Sequence, residues 1–102
     1  MNHTVQVIIS GSTYNLKYGL KALFFYEELE GKPFEYTKME DSYKLLHASL
    51  LAYNSNYSMT FDSLLDACDE DPAIFESFVK LTEESARRTE QIKKKKEEKG
   101  KQ

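Results

Sequence analysis

With Cys68 as its single cysteine, this 102-residue chain can form no intramolecular disulfide. A chain so short without a staple suits a reducing compartment, where packing alone must hold the fold. Only two prolines and four glycines interrupt it, so few points are forced into tight turns and helix should dominate. The longest apolar run, Ala22 to Tyr26, is far shorter than the roughly 20 residues of a membrane-spanning helix. The start, Met1-Asn2-His3-Thr4, has neither the basic stretch nor the apolar stretch of a secretory signal. The absences together lead us to expect a soluble, cytoplasmic protein that binds no membrane.

Charge is present in both signs but unevenly placed. From Glu83 onward eight Lys/Arg face five acids, a net +3, whereas the first 82 residues hold six basic and twelve acidic side chains, a net −6. An acidic body repels phosphate backbones, which argues against nucleic acid as a partner of the folded part. Hydrophobic residues make up 40% of the chain, including seven Tyr and six Phe, enough to build one modest core.

Val5, Val7 and Ile9 alternate with polar residues, as do Tyr14, Leu16 and Tyr18, and Ser10-Gly11-Ser12 lies between them. Period-two alternation on both sides of a Gly-containing turn predicts a β-hairpin. Such a hairpin is marginal alone and must lay its apolar face on something else. Helical spacing begins at once, with Leu20, Leu23, Phe24 and Tyr26 to Leu29 predicting a helix over 19–30. Gly31 then offers the left-handed position that ends helices, and Pro33 blocks continuation. Phe34 and Tyr36 should pin the connection that follows to the core.

A second helix is expected to start near Asp41 or Ser42, with Tyr43, Leu46, Leu50 and Tyr53 on one face and Asn54 at its end. Thr60 suits the cap of a short third helix whose Phe61, Leu64, Leu65 and Cys68 point inward. Asp71-Pro72 is a strong helix start, because the carboxylate suits orphan amides and the dipole while Pro suits the first turn. Ile74, Phe75, Phe78, Val79 and Leu81 form the last apolar face. Beyond Leu81 only Ala86 and Ile92 are apolar, and Glu83–Arg87, Glu84–Arg88 and Glu90–Lys94 are spaced as acid-first helical pairs, each worth roughly 0.2–0.5 kcal/mol. The expected architecture is α+β, mainly α. An N-terminal hairpin packs on about four helices in one globular domain over 1–82, and 83–102 is a charged helical extension fraying into a disordered tail somewhere in Lys93 to Gln102.

Chemistry is hard to find. His3 and His47 have no Cys, Ser or second His at ligand or triad spacing, and Cys68 lacks a CxxC companion. The acids Asp66, Asp69, Glu70, Asp71 and Glu76 have no Gly at a calcium-loop turn, and Pro72 starts a helix where such a loop would run. No Gly-rich loop cradles a phosphate. We therefore expect no enzyme, no metal and no cofactor. What is in surplus is aromatic surface. The first helix is apolar on more than one side, so part of it should remain uncovered and serve self-association or a client. Phe24, Phe25, Tyr26, Tyr53, Phe75 and Phe78 are the candidate partner-binding residues.

Several stretches resemble the tail assembly chaperones of long-tailed bacteriophages. Tyr14-Asn15-Leu16-Lys17-Tyr18-Gly19-Leu20-Lys21-Ala22-Leu23 is similar to the strand-to-helix opening of many of them, and Glu28-Leu29-Glu30-Gly31-Lys32-Pro33-Phe34 follows as in similar sequences. Ser49-Leu50-Leu51-Ala52-Tyr53-Asn54 and Met59-Thr60-Phe61-Asp62 resemble the family's central helices. The resemblance covers about residues 4–81 and carries no catalytic residue. It implies a protein of phage or prophage, acting in the bacterial cytoplasm, that binds the hydrophobic tape-measure protein. The client would stay soluble while the tail tube polymerises around it. Implied further partners are the tail tube protein, a second copy of the chain, and a longer form made by ribosomal frameshifting. Lys93-Lys94-Lys95-Lys96 fits that last expectation, since consecutive lysine codons are A-rich and can slip; a coding sequence with no overlapping frame behind an A-rich heptamer would remove it. Two other readings compete. One is a small structural tail or neck protein of the virion. The weaker is a nucleic-acid-associated regulator using Arg87, Arg88 and Lys93 to Lys96.

Overall fold

The computed structural model describes residues 4–100, with side chains from 4 to 87. Strands Thr4–Ile9 (β1) and Ser12–Lys17 (β2) form a two-stranded antiparallel sheet, with Val7 opposite Tyr14 and Ile9 opposite Ser12. Ser10 and Gly11 make the turn at φ 52° and 82°. Positive φ at both positions matches the twist of the flanking strands and closes the hairpin in two residues. One face of the sheet buries Val7, Ile9, Tyr14 and Leu16, while Ile8 on the other face is exposed. The expected hairpin is there.

Four helices follow, Leu20–Glu30 (α1), Met39–Tyr53 (α2), Phe61–Glu70 (α3) and Ala73–Gly100 (α4). The architecture is α+β and mainly α, as the pattern predicted. Gly31 ends α1 at φ 74°, its amide donating to Glu27 at 2.8 Å. The Thr60 hydroxyl accepts the Ser63 amide at 3.1 Å and caps α3. Asp71 accepts the Ala73 amide at 3.2 Å at the head of α4. The backbone of α4 stays helical to Gly100, so the helical extension is present. Fraying was expected somewhere in Lys93 to Gln102, and the backbone is helical through that range as far as Gly100; the pairs Glu84–Arg88 and Glu90–Lys94 involve side chains outside the described residues.

The start of α2 differs from expectation. The helix begins at Met39, before Asp41, and Asp41 lies inside its first turn. The Asp41 carboxylate turns back instead, accepting from the Thr37 hydroxyl at 2.7 Å and from the Thr37 and Lys38 amides at 3.0 Å each. It thereby satisfies donors ahead of the helix rather than inside it. These bonds, led by the Thr37 hydroxyl, hold its pKa down at about 2, so it is ionised at neutral pH.

Leu46, Leu50 and Leu64 are fully buried at the centre, where the hairpin meets α2, α3 and α4. Rings join the layers edge-on, Tyr14 to Tyr57 at 5.4 Å and Tyr18 to Phe78 at 6.2 Å. Helix α1 packs chiefly on α2, outside this centre. Lys44 of α2 reaches Glu30 at 3.0 Å and Glu40 at 3.3 Å, which ties the end of α1 to the start of α2.

The seam between β2 and α2 is polar. Asn54, at the C-terminal end of α2, accepts the Asn15 amide at 2.7 Å and donates to the Asn15 carbonyl at 2.8 Å. It also donates to the Leu50 carbonyl at 3.0 Å. Ser49, fully buried, donates to the Lys17 carbonyl. A two-stranded sheet leaves an open edge, and here two helical side chains complete it.

Candidate interaction surface

Helix α1 is positioned by its first residue. Gly19 caps it in an extended conformation, and its carbonyl accepts the Ala22 and Leu23 amides. A Cβ at Gly19 would lie 2.5 Å from the Tyr53 hydroxyl, so a larger residue there would have to push the Tyr53 ring aside for α1 to start this close to α2. Ala22 and Tyr26 then face α2 and are buried.

The opposite side of α1 is also apolar. Leu20 is 68% exposed, Phe24 58%, Leu29 51% and Phe25 37%. At about 100° per residue, Leu20 and Phe24 lie along one side of the outward face and Phe25 and Leu29 along the other. Lys21 and Glu28, both exposed, run between them. Beside Phe24 a shallow groove of about 430 Å³ is bounded by Glu27, Glu28, Gly31, Lys32 and Pro33. A scattered leucine needs no explanation, but two pairs of large apolar side chains, Leu20 with Phe24 and Phe25 with Leu29, flanking the exposed half of one short helix do.

A narrower cleft opens between the end of β2, α2 and α4. It holds about 190 Å³ and is lined by Tyr18, Phe34, Tyr36, Leu45, Phe75 and Phe78 among others. Its aromatic walls are part of the core's edge. Phe34 meets Tyr26 edge-on at 5.1 Å, and Phe75 stacks on Tyr43 at 4.0 Å. Tyr36 is the exception. Expected to pin the connection after α1, it stands exposed at the rim.

The six candidate partner-binding residues therefore separate. Phe24 and Phe25 are on the outward face of α1. Tyr26 and Phe78 are corrected, since each is almost wholly buried and their rings are consumed by internal packing. Tyr53 and Phe75 are half-buried and already engaged, Tyr53 beneath the Lys17 ammonium at 5.3 Å and Phe75 on Tyr43. Leu20 and Leu29 were missed, although their spacing of four from Phe24 and Phe25 was the available signal.

His47, Cys68 and Tyr26 are titratable side chains drawn into the packed part of the fold. His47 meets the Tyr57 hydroxyl at 2.9 Å through Nδ1, and burial lowers its pKa, which leaves it neutral at physiological pH. Burial raises the Cys68 thiol, so it is a poor thiolate, as expected of a small core residue. The Tyr26 hydroxyl is buried and finds no hydrogen-bond partner among the described residues. Also among the described residues, no group of three or more His, Cys, Asp or Glu could hold a metal ion, and no helix is long and apolar enough to cross a membrane.

Compared with protein-family profiles, curated proteins and solved structures, the chain matches none.

Proposed function

We propose that this protein is a tail assembly chaperone of a phage or prophage, holding the tape-measure protein soluble through the outward face of α1. The observation that carries the reading is the exposure of Leu20, Phe24, Phe25 and Leu29 on a helix that packs on α2 through Ala22 and Tyr26. A long helical client presents apolar stripes of the same kind, and covering each side chain contributes roughly 1.5–3 kcal/mol before ordering costs. Four such contacts give binding that is useful yet reversible, which a chaperone displaced by tube subunits requires. The mechanism is burial and release of apolar surface, with no bond made or broken in the client.

Co-expression with the tape-measure protein of the phage or prophage that encodes this chain tests the reading. The client should move from the insoluble to the soluble fraction and co-purify with this chain. Client solubility that does not change would sink it. Recovery of the protein from purified particles would favour the structural tail or neck reading instead.

A further inference from the structure

The hairpin has two outer edges, and the fold closes one of them. Along β2, Asn54 takes the amide and the carbonyl of Asn15, and Ser49 takes the carbonyl of Lys17. Those bonds fix which way the ladder groups point. Asn15 lies opposite Gln6 and Lys17 opposite Thr4, so neither pair exchanges hydrogen bonds across the ladder, and by alternation Ile8 with Thr13 is a third such pair. The backbone N–H and C=O groups of Thr4, Gln6 and Ile8 therefore point away from β2, and among the described residues nothing bonds to them there. Exposed edges are usually blunted by a charge, a proline or a bulge. β1 has none of these: it pairs with β2 without interruption and consists of Thr, Val, Gln and Ile alone. We infer that this open edge takes an added β-strand, an extended and cationic segment of another protein.

The backbone selects the shape of the occupant. Donors and acceptors recur at every second residue, about 7 Å apart, which an extended chain matches and a helix, its own groups already bonded, does not. Ile8 is 66% exposed on the outer face of the sheet and Val5 38% on the inner one, so a strand laid here gains an apolar cross-strand contact on each side. Charge selects its composition. Beside the edge a groove of about 310 Å³ runs to the head of α4, lined by Val7, Ala73, Ile74, Ser77 and Asp71 among others. Asp71 is exposed and is the one charged residue in that lining, on a body whose first 82 residues carry a net −6. A lysine or arginine on the incoming strand finds a carboxylate there. A second copy of this chain fits less well, because its own β1 has no cation to offer Asp71 and it brings a second acidic body. The edge belongs to a different element from the outward face of α1 and goes beyond the proposed chaperone role.

NMR titration of the isotope-labelled full chain tests the edge, with a short peptide of alternating valine and threonine and a lysine at each end as the probe. In the free protein the Gln6 and Ile8 amides should exchange with solvent quickly and those of Val7 and Ile9 slowly. At saturating peptide the Gln6 and Ile8 amides should shift and become protected, while those of α1 stay unchanged. The same peptide methylated at every backbone nitrogen should bind about tenfold more weakly or worse. A version with glutamate at each end should weaken by about tenfold as well. Gln6→Pro removes an outward N–H that the ladder does not use, so it should unfold at close to the wild-type urea concentration yet lose the peptide. Gln6→Lys leaves the backbone free and should weaken binding about tenfold by repelling the cationic strand, which covers the case of a hairpin disturbed by proline. Asp71→Asn, which keeps an acceptor at the head of α4, should weaken it about threefold. No response of β1 at millimolar peptide, equal binding of the methylated or glutamate-ended peptide, or full binding to Gln6→Lys would each overturn the inference. Gln6 and Ile8 shifts that grow with the chain's own concentration would mean that a second copy covers the edge, and would overturn it too. No readout involves the tape-measure protein or the apolar face of α1, so failure here leaves the proposed function standing, and failure of that function leaves the edge untouched.

Discussion

Helices α1 and α2 lie against each other but use their apolar residues in opposite ways. Helix α2 buries Leu45, Leu46, Ala48 and Leu50 together with Asp41 and Ser49, whereas α1 buries only Ala22 and Tyr26. Leu20, Phe24, Phe25 and Leu29 of α1 face outward instead. Both helices look rich in apolar residues, so composition alone does not separate them. The difference lies in their neighbours. The hairpin, α3 and α4 all touch α2, while α1 has α2 for a neighbour and little else. A helix with one neighbour can hide one face, and whatever is apolar on the other is free for a partner.

Truncation should expose the contrast most strongly at the centre of α2. Leu50 is fully buried, so Leu50→Ala removes its packing and leaves a cavity. The expected loss is about 3 kcal/mol, read from urea unfolding followed by circular dichroism. A loss below about 1 kcal/mol would mean that α2 is not the hub of the core.

The polar seam should come next. Asn54→Ala takes both partners from the Asn15 backbone at once and should cost about 1–3 kcal/mol. Asn54→Asp keeps an acceptor for the Asn15 amide but sets a buried carboxylate oxygen against the Asn15 and Leu50 carbonyls, so it should cost at least as much as alanine. If alanine and wild type unfold at the same urea concentration, water replaces the side chain adequately and the sheet edge is held by something else.

This seam also marks where the sequence stops being readable. The turn at Gly11, the stop at Gly31, the Thr60 cap and the Asp71-Pro72 start are local devices, each decided within a few residues, and each is where the pattern placed it. Asn54 and Asn15 are 39 positions apart, and nothing near either residue announces the other. Asp41 reads equally well as a cap or as a residue that reaches back, and Thr37 decides the matter. The interaction surface was half legible for a related reason. A helix apolar on more than one side has no single phase, so spacing could show that α1 carried excess apolar surface but not which side would be covered. The position of α2 makes that choice, burying Tyr26 and leaving Leu20 and Leu29 outside.

Tyr26 gives a smaller effect of opposite sign. Its hydroxyl is buried without a hydrogen-bond partner among the described residues, next to the side of α1 that packs on α2. Burial raises its pKa, with Asp41 and Glu30 adding to the shift, so it remains a neutral phenol carrying a desolvation cost. Tyr26→Phe keeps the ring against Phe34 and removes that cost. The unfolding midpoint should rise, corresponding to about 1 kcal/mol of added stability. A fall of the same size would mean that the hydroxyl does find a partner in solution.

The smallest expected change is the one that defines α1 as a binding helix. Phe24 is more than half exposed and has no ring partner among the described residues, so Phe24→Ser should shift folding stability by no more than about 0.5 kcal/mol. The same substitution removes the more exposed of the two phenylalanine rings, so on the proposed function retention of a tape-measure client in the soluble fraction should drop. Loss of both stability and client binding would place Phe24 in the core in solution and erase the contrast between the two helices. Loss of neither would move the client to another surface, with the cleft rimmed by Tyr36 as the next place to substitute. Only a fold that is unchanged beside a function that is lost fits a helix held on one side and used on the other.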